Sequence, residues 1–349
     1  MRKEKKIKIG ISIGDLNGVG GELIIKTFSD NRLLEFCTPI VFASVKTMSF
    51  LKKHFQSSIS FQGIFEASKA VEGKLNVVNV WKQDVAIEFG KDTPQAGQYA
   101  LQALKAAVDS LKHDEIDVLV TAPINKHNIQ SEEFKFPGHT DFLNQELNGD
   151  SLMFMVSDAL RVGLLTDHVP VGDVPHYLNE ALISKKINLI HQSLKQDFAI
   201  RVPKIAVLGV NPHTGDNGVI GSEDDKVLRP ALENIKKTGM LVYGPYAADS
   251  FFGSNNYQNF DAIVATYHDQ GLIPFKTLTF GNGVNYTAGL DKVRTSPDHG
   301  TAYDIAGKGI ANTESFKEAI FTGIEIFRNR NMNVELQQNP LRKQAKNRK

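Results

Sequence analysis

The run Ile205-Ala206-Val207-Leu208-Gly209-Val210-Asn211-Pro212-His213 is short, apolar and rich in β-branched residues, and it ends in a histidine. Two other stretches repeat this design: Val162-Gly163-Leu164-Leu165-Thr166-Asp167-His168 and Asp261-Ala262-Ile263-Val264-Ala265-Thr266-Tyr267-His268. Such apolar runs are typical of strands that are buried in a parallel sheet. The pattern predicts an α/β protein with three histidines at, or just past, the carboxyl ends of strands, where open α/β sheets place their ligands.

Three imidazoles on one rim of a sheet are a candidate metal site. Three protein ligands leave a coordination position open for a substrate, and the wide spacing of these histidines does not fit a zinc finger. His168, His213 and His268 are therefore predicted to hold a catalytic divalent metal ion. Zinc, magnesium and cobalt all remain open, because histidine ligands accept several divalent ions. For any single histidine, a hydrogen-bonded core or rim residue is the alternative.

The composition excludes several classes of protein. A length of 349 residues suggests two domains, at roughly 150 residues each. The formal net charge of +1 gives no argument for a nucleic-acid partner. The single cysteine, Cys37, excludes an intrachain disulfide and fits a reducing compartment. No stretch approaches the roughly 18 apolar residues of a membrane span. We therefore expect a cytoplasmic enzyme without nucleic-acid or membrane partners, and a solvated basic tail over residues 341–349.

Strand-like and helix-like segments alternate along the whole chain, which predicts a mainly parallel sheet. The predicted strands cover residues 7–13, 39–43, 75–80, 116–121, 152–156, 162–166, 205–210, 262–266 and 284–288. The predicted helices begin near Glu22 and cover residues 95–111, 178–194, 224–237, 301–306 and 314–328. The grouping of motifs predicts two α/β/α domains, one formed by residues 1–130 with 302–349 and the other by residues 131–301.

Several polar segments are candidates for binding an anion. The turn from Gly14 to Gly21 joins a strand to a helix, so its amides could face an anion, although its glycine spacing matches neither the dinucleotide nor the Walker pattern. At Gly138-His139-Thr140-Asp141 a helix start is expected, with Thr140 as the cap and His139 facing an anion. The loop over residues 211–221 is a candidate ligand shelf. Lys276, Asn285 and Arg294 would supply further donors for a phosphate or carboxylate.

Taken together, these motifs resemble the 4-hydroxythreonine-4-phosphate dehydrogenase family of vitamin B6 biosynthesis. The resemblance runs from about residue 7 to 327. The matching pieces are Gly14-Asp15, Gly18-Val19-Gly20 and Glu22, Thr121-Ala122-Pro123-Ile124-Asn125-Lys126, Pro137-Gly138-His139-Thr140, Leu208-Gly209-Val210-Asn211-Pro212-His213, Gly244-Pro245 through Asp249, Tyr267-His268-Asp269-Gln270-Gly271, and Arg294-Thr295-Ser296-Pro297-Asp298-His299-Gly300.

The resemblance carries expectations about the fold and the site. It implies the two-domain fold of the isocitrate and isopropylmalate dehydrogenases, with the active site in the cleft between the domains. It implies a homodimer whose metal ligands come from both subunits, and NAD or NADP as the oxidant. The residues that it implies are His168, His213 and His268 for the metal, and His139, Thr140, Lys276, Asn285 and Arg294 for the substrate.

The implied reaction is oxidation of the C3 hydroxyl of 4-phosphooxy-L-threonine, followed by loss of carbon dioxide to give 3-amino-2-oxopropyl phosphate. Asp249, which is acidic and lies in a matching segment, is the candidate general base, and Lys276 is a second candidate catalytic residue. Two alternatives stay open: the same chemistry on 4-phospho-threonate or 4-phospho-erythronate, and a metal-dependent phosphatase. The turn departs from the family at Leu16, Asn17 and Gly21, which puts the affinity for the cofactor in question more than the reaction.

Overall fold

The structure is a computed structural model and describes residues 6–338, so the basic tail over residues 341–349 lies outside it. Its strands are β1 (Ile7–Ser12), β2 (Cys37–Ala43), β3 (Phe61–Ile64), β4 (Leu75–Asn79), β5 (Val118–Thr121), β6 (Gly149–Val156), β7 (Arg161–Leu164), β8 (Lys204–Leu208), β9 (Leu241–Tyr246), β10 (Ala262–Ala265), β11 (Val284–Leu290) and β12 (Val293–Pro297). Its helices are α1 (Gly20–Phe28), α2 (Leu33–Phe36), α3 (Val45–His54), α4 (Pro94–Lys112), α5 (His139–Glu146), α6 (Val174–Tyr177), α7 (Glu180–Gln196), α8 (Arg229–Lys237), α9 (Ala248–Gly253), α10 (His268–Thr279) and α11 (Glu314–Gln338).

All the strands of the described residues form one sheet, in the order β3-β4-β2-β1-β5-β12-β11-β6-β7-β10-β8-β9. The block from β3 to β12 is parallel, and so is the block from β7 to β9. Between them, β11 and β6 are each antiparallel to both neighbours. The two parallel blocks therefore run in opposite directions and meet across β11 and β6. The predicted α/β class with a mainly parallel sheet is confirmed.

The long helix α11 covers one face of the central strands. It comes close because Gly323 has no side chain: an added Cβ would lie 2.7 Å from Val118. Thr295 Oγ1, on β12, donates a hydrogen bond of 2.7 Å to the carbonyl of Ala319 in α11. Near the other end of the helix, Arg330 Nε donates to Asp197 at 2.7 Å. Because α11 covers this face, only the opposite face of the same strands is open to side chains from other segments.

The strands that precede the three histidines are neighbours, since β10 lies between β7 and β8 and is parallel to both. Among the elements that were not predicted, β9, α10 and β12 each contain a residue that is unusual for such an element. Strand β9 contains Pro245 and lies at a sheet edge, where a missing N–H is tolerated. Helix α10 contains Pro274, and β12 contains the buried Arg294.

The predicted helix over residues 301–306 is wrong: these residues form turns. Ala302 has φ of 45°, and the hydrogen bonds from Ile305 N to Ala302 O and from Lys308 N to Ile305 O each span three residues. A left-handed residue at the start prevents the regular bonds of an α-helix. Because one sheet runs through both halves of the chain, the division into domains at residues 130 and 302 stays a prediction. No helix within residues 6–338 is long and apolar enough to cross a membrane.

Candidate active site

A cleft of about 270 Å³ lies on the face of the central strands that α11 leaves uncovered. Its lining comes from the ends of β5 and β12, the start of α5, and the strands β6 and β11. The lining residues are Thr121, Ala122, Pro123, Ile124, Lys126, Gly138, His139, Thr140, Asp141, Met153, His168, Lys276, Asn285, Arg294, Ser296, Pro297, Asp298, His299 and Gly300. All five residues predicted to bind the substrate are among them.

The antiparallel pairing of the central strands explains why their side chains converge. Asn285 of β11 is paired with Ser296 of β12, and Thr287 of β11 is paired with Met153 of β6. Side chains two residues apart on a strand share a face, so Asn285, Ser296, Arg294 and Met153 all point into the cleft. Thr295, at an intervening position, points to the face covered by α11. The site therefore lies where the two parallel blocks of the sheet meet.

Arg294 is the main charged group at the floor of the cleft and is only 2% exposed. Its guanidinium donates to Thr121 Oγ1, at 3.1 Å from Nε and 2.6 Å from one terminal nitrogen, and to Thr287 Oγ1 at 3.1 Å from the other. Burial lowers its pKa to about 9, so it is still a cation at neutral pH. No carboxylate within residues 6–338 forms an ion pair with it. A buried cation without a counter-ion is costly, and an anionic ligand would offset that cost.

Helix α5 begins at His139 and points its amino end into the cleft. The cap is Gly138 and no side chain caps the helix, so the prediction that Thr140 is the cap is wrong. Thr140 is instead the second residue of the helix, and its side chain remains available to the cleft. Burial, reinforced by the charges of Arg294 and Lys126, lowers the pKa of His139 well below its ordinary value. His139 is therefore neutral, and its buried Nε2 has no hydrogen-bond partner within residues 6–338. A neutral imidazole at a helix amino end is suited to bind an anion.

Besides Asp141 at the start of α5, three charged or titratable residues of the cleft were not assigned a role from sequence: Lys126, Asp298 and His299. Lys276 Nζ lies 3.2 Å from Asp298 Oδ1, and burial raises the pKa of Asp298. Burial lowers the pKa of His299, whose buried Nε2 lacks a hydrogen-bond partner among the described residues. All three belong to segments that match the family, Thr121 to Lys126 and Arg294 to Gly300. Membership of those segments was the only signal, since a lone lysine, aspartate or histidine in a loop is not specific.

The structure brings two of the three predicted metal ligands together. The rings of His168 and His268 have centroids 6.0 Å apart, a separation that two imidazoles on one ion can have when each metal–nitrogen bond is about 2 Å. His268 Nδ1 pairs with Asp269 at 2.7 Å, so Nε2 is the nitrogen that would be available to a metal ion. His213 is exposed on the loop after β8, with φ of 52°. No three His, Cys, Asp or Glu residues of the described chain form a group spaced to hold a metal.

Two other predicted positions lie away from the cleft of their own chain. Asp249 is in the first turn of α9, exposed, and is absent from the lining. The loop over residues 211–221 is also absent from the lining and is tied down by the buried carboxylate of Asp224. That carboxylate accepts hydrogen bonds from Val210 N at 2.8 Å and Asn211 N at 3.0 Å. The role of Asp249 as general base stays a prediction, and so does the role of the loop in binding a ligand.

The glycine turn over residues 14–21 is buried and packs under the cleft instead of opening into it. An added Cβ at Gly14 would lie 2.3 Å from the carbonyl of Pro123, which lines the cleft. The buried carboxylate of Asp15 accepts hydrogen bonds from Asn128 Nδ2 at 2.7 Å and from the Tyr303 hydroxyl at 2.9 Å. The turn thus supports two segments that border the cleft.

The chain is similar in sequence to a known family of proteins. A family model described as "Pyridoxal phosphate biosynthetic protein PdxA" matches residues 35–323. The chain is 51% identical to 4-hydroxythreonine-4-phosphate dehydrogenase of Bacteroides thetaiotaomicron over 344 residues, which is 98% of this chain and 94% of the relative. It is 36% identical to D-threonate 4-phosphate dehydrogenase of Cupriavidus necator, over 91% of this chain and 96% of the relative.

A solved structure is similar as well. The crystal structure of 4-hydroxythreonine-4-phosphate dehydrogenase from Klebsiella pneumoniae matches with a TM-score of 0.80 at 30% identity, covering 94% of this chain and 99% of that one. The likeness in fold and in sequence therefore extends over nearly the whole length of both chains.

Proposed function

The chain belongs to the PdxA family of pyridoxal phosphate biosynthetic proteins and is a dehydrogenase, and from this membership and the cleft we propose its reaction. It oxidises the C3 hydroxyl of 4-phosphooxy-L-threonine with NAD or NADP to 2-amino-3-oxo-4-phosphooxybutanoate. This β-keto acid then loses carbon dioxide to give 3-amino-2-oxopropyl phosphate. The reaction is a step toward pyridoxal 5'-phosphate.

The observation that carries the proposal is the buried guanidinium of Arg294, which has hydroxyl partners but no carboxylate. Lys126 and Lys276 also line the cleft and add positive charge. His139 Nε2 and Asn285 Oδ1 are buried and have no hydrogen-bond partner within residues 6–338, so a ligand could bind them. A substrate with a phosphate at one end and a carboxylate at the other matches such a cleft. Binding both ends would orient C3 toward the nicotinamide and contribute to the rate through positioning.

The residues that would hold a metal are His168 and His268, whose rings are placed to share one ion. The third ligand would be His213 of a second copy of the chain, because within one chain the three do not form a cluster. A bound divalent ion would lower the pKa of the C3 hydroxyl and stabilise the alkoxide that forms as hydride leaves. This arrangement requires a homodimer with active sites shared between the two copies.

For the dinucleotide, the edge of the cleft at His299 and Gly300 is the favoured place. Gly300 is exposed, and an added Cβ there would meet nothing within 4 Å, so the backbone is open to a ligand.

The second candidate substrate is 4-phospho-threonate, favoured by the similarity to the D-threonate enzyme of Cupriavidus necator. It differs from the first by a hydroxyl in place of the amino group, and 4-phospho-erythronate is a related candidate. The cleft contains a carboxylate outside the Lys276–Asp298 ion pair, that of Asp141, which could pair with an amino group. This favours 4-phosphooxy-L-threonine. Membership of a dehydrogenase family argues against the phosphatase alternative.

The test is reduction of NAD and NADP, followed by absorbance at 340 nm, with 4-phosphooxy-L-threonine, 4-phospho-threonate and 4-phospho-erythronate. We expect the highest kcat/KM with 4-phosphooxy-L-threonine, loss of activity on chelation, and recovery on adding a divalent metal. Preference for one of the acids would assign the chain to that substrate instead. No reduction with any of them, from folded and metal-loaded protein, would overturn the proposal.

A further inference from the structure

Lys276 and Asp298 form the one ion pair within residues 6–338 whose two partners both line the cleft. Their side chains differ in exposure: Lys276 is 53% exposed and Asp298 is 13% exposed. The lysine therefore reaches into the opening of the cleft, and the carboxylate is shielded in its wall. The distance of 3.2 Å from Nζ to Oδ1 allows direct proton exchange between the two groups.

The backbone holds Asp298 in a fixed position. Its N–H donates to Ser315 Oγ at 2.9 Å, and that hydroxyl donates in turn to the carbonyl of Gly283 at 2.7 Å. Gly283 also leaves space for the carboxylate, since an added Cβ would lie 3.1 Å from Asp298 Oδ2 and 2.5 Å from Phe275. The hydrogen bond to Ser315 and the packing beside Gly283 hold the carboxylate in one orientation, which a group that reacts with a bound substrate requires.

The surroundings of Asp298 suit a proton acceptor. Burial raises the pKa of its carboxyl, and the facing groups Lys276, His299 and His268 oppose that rise. The other carboxylate in the lining, Asp141, is exposed at the start of α5. Asp249, the candidate base from sequence, does not line the cleft of its own chain. Asp298 is therefore the shielded carboxylate that lies between the anion-binding floor and the side of His268.

We propose that Lys276 and Asp298 form a proton relay in the reaction proposed above. As hydride passes from C3 to the oxidised nicotinamide, the Asp298 carboxylate accepts the proton of the C3 hydroxyl, and the C3–O bond becomes a carbonyl. After the bond between C2 and the carboxylate breaks and carbon dioxide leaves, the electron pair remains on C2 and the carbonyl. The Lys276 ammonium then donates a proton to C2.

The relay balances without any further reactant. The proton on Asp298 passes to the neutral amine of Lys276 across the ion pair, and both groups return to their starting charges. The hydride reduces the nicotinamide, and the hydroxyl proton is replaced by the proton on C2. Since no net proton is released, the pair needs no exchange with solvent in order to turn over.

The inference rests on the proposed function and is tested with the full-length protein and 4-phosphooxy-L-threonine. We expect Asp298→Asn to lower kcat by about 10²- to 10⁴-fold, the usual contribution of a general base, with a smaller change in KM. Asp298→Glu should recover part of kcat. With deuterium at C3, the Asp298→Asn enzyme should show a full primary isotope effect on kcat.

Lys276 has a separate signature in deuterium oxide. The normal enzyme should deliver deuterium to one side of C2, so that the product, trapped at once by reduction, carries a CHD group of one configuration. Lys276→Met should give both configurations, because solvent protonates C2 from either side. A residue with only a structural role would lower the rate without changing this stereochemistry.

The matched control is Asp150→Asn, which removes the exposed pair of Asp150 with Lys185 at 2.6 Å, outside the cleft. It should leave kcat and the product's configuration unchanged. The relay is overturned if Asp298→Asn keeps kcat within threefold of normal, or if Lys276→Met still gives a single configuration. A normal enzyme that reduces no NAD or NADP with any substrate would contradict the proposed function itself, which is a different result.

Discussion

The hydroxyl of Tyr303 donates a hydrogen bond of 2.9 Å to the carboxylate of Asp15, which joins two segments that lie 288 residues apart in the chain. Asp15 belongs to the turn after β1, and Tyr303 to the turns that follow His299 and Gly300. Asn125 Nδ2 donates to the same hydroxyl at 3.0 Å, so the segment that carries Lys126 is tied in as well. One buried carboxylate thus fixes segments on two sides of the cleft.

Tyr303→Phe is expected to lower the free energy of unfolding by about 1–3 kcal/mol, because it removes a hydrogen bond from a buried carboxylate. It should also raise KM, since the segments that it joins border the cleft. Urea denaturation and steady-state kinetics measure the two effects. Unchanged stability together with unchanged KM would show that the bond supports neither segment.

Arg294→Met is expected to separate binding from stability. Losing the buried cation should lower kcat/KM by at least about 30-fold, which corresponds to about 2 kcal/mol, the lower end for truncating one partner of a buried charge pair. The free energy of unfolding should stay the same or rise by about 1 kcal/mol, because a buried charge without a counter-ion costs stability. Kinetics and urea denaturation test this, and a less stable variant with normal kcat/KM would contradict it.

The lowered pKa of His139 gives stability a defined dependence on pH. In the unfolded chain His139 takes up a proton as pH falls through about 6.5, but in the folded chain its pKa is well below that value. Stability is therefore fully present above pH 6.5 and is lost as pH falls toward the folded pKa, by at most about 1.4 kcal/mol per pH unit for this group. Denaturation at pH 7.5 and 5.5 should show a smaller loss for His139→Gln than for the normal protein. The exposed His113→Gln variant is the control and should keep the normal loss.

Mixed dimers test whether the histidines act across two chains. If His168 and His268 of one copy are completed by His213 of the other, mixing His168→Ala with His213→Ala chains should restore one intact site in each mixed dimer. Mixing His168→Ala with His268→Ala should restore none, because these two ligands come from the same chain. Activity after subunit exchange is the measurement. If both mixtures are inactive although light scattering confirms that dimers are present, all three ligands come from one chain.

Two glycines have nearly the same φ angle but different surroundings, so substituting each by alanine distinguishes the cost of close packing from the cost of backbone strain. Gly14 has φ of 74° and Gly73 has φ of 73°. An added Cβ at Gly14 would lie 2.3 Å from Pro123 O, whereas at Gly73 it would meet nothing within 4 Å. Gly73→Ala should cost about 1–2 kcal/mol, the penalty of the left-handed conformation alone. Gly14→Ala should cost several kcal/mol more in urea denaturation. Similar costs at both positions would show that the turn relaxes away from Pro123.

Most of the fold could be predicted from local patterns. The apolar, β-branched run over residues 205–208 and the amphipathic segment of α4 carry their periodicity in adjacent residues, so alternation of strands and helices was evident. Elements with exceptional residues were not, because Arg294 in β12, Pro274 in α10 and Pro245 in β9 are accommodated only by their neighbours. The turns over residues 301–306 do not form the predicted helix because Ala302 adopts a left-handed conformation, which the residue type does not indicate.

The amino-acid sequence established the α/β class, five residues that line the cleft and the positions of three histidines after the ends of strands, since each depends on residue type and short spacing. Tertiary structure decided which of them meet. It brought His168 beside His268 and left His213 and Asp249 away from the cleft of their own chain. It also placed Asp298 beside Lys276. These relationships depend on the register of antiparallel strands and on packing between segments far apart in the chain, and such long-range geometry leaves no periodic signal in the residues themselves.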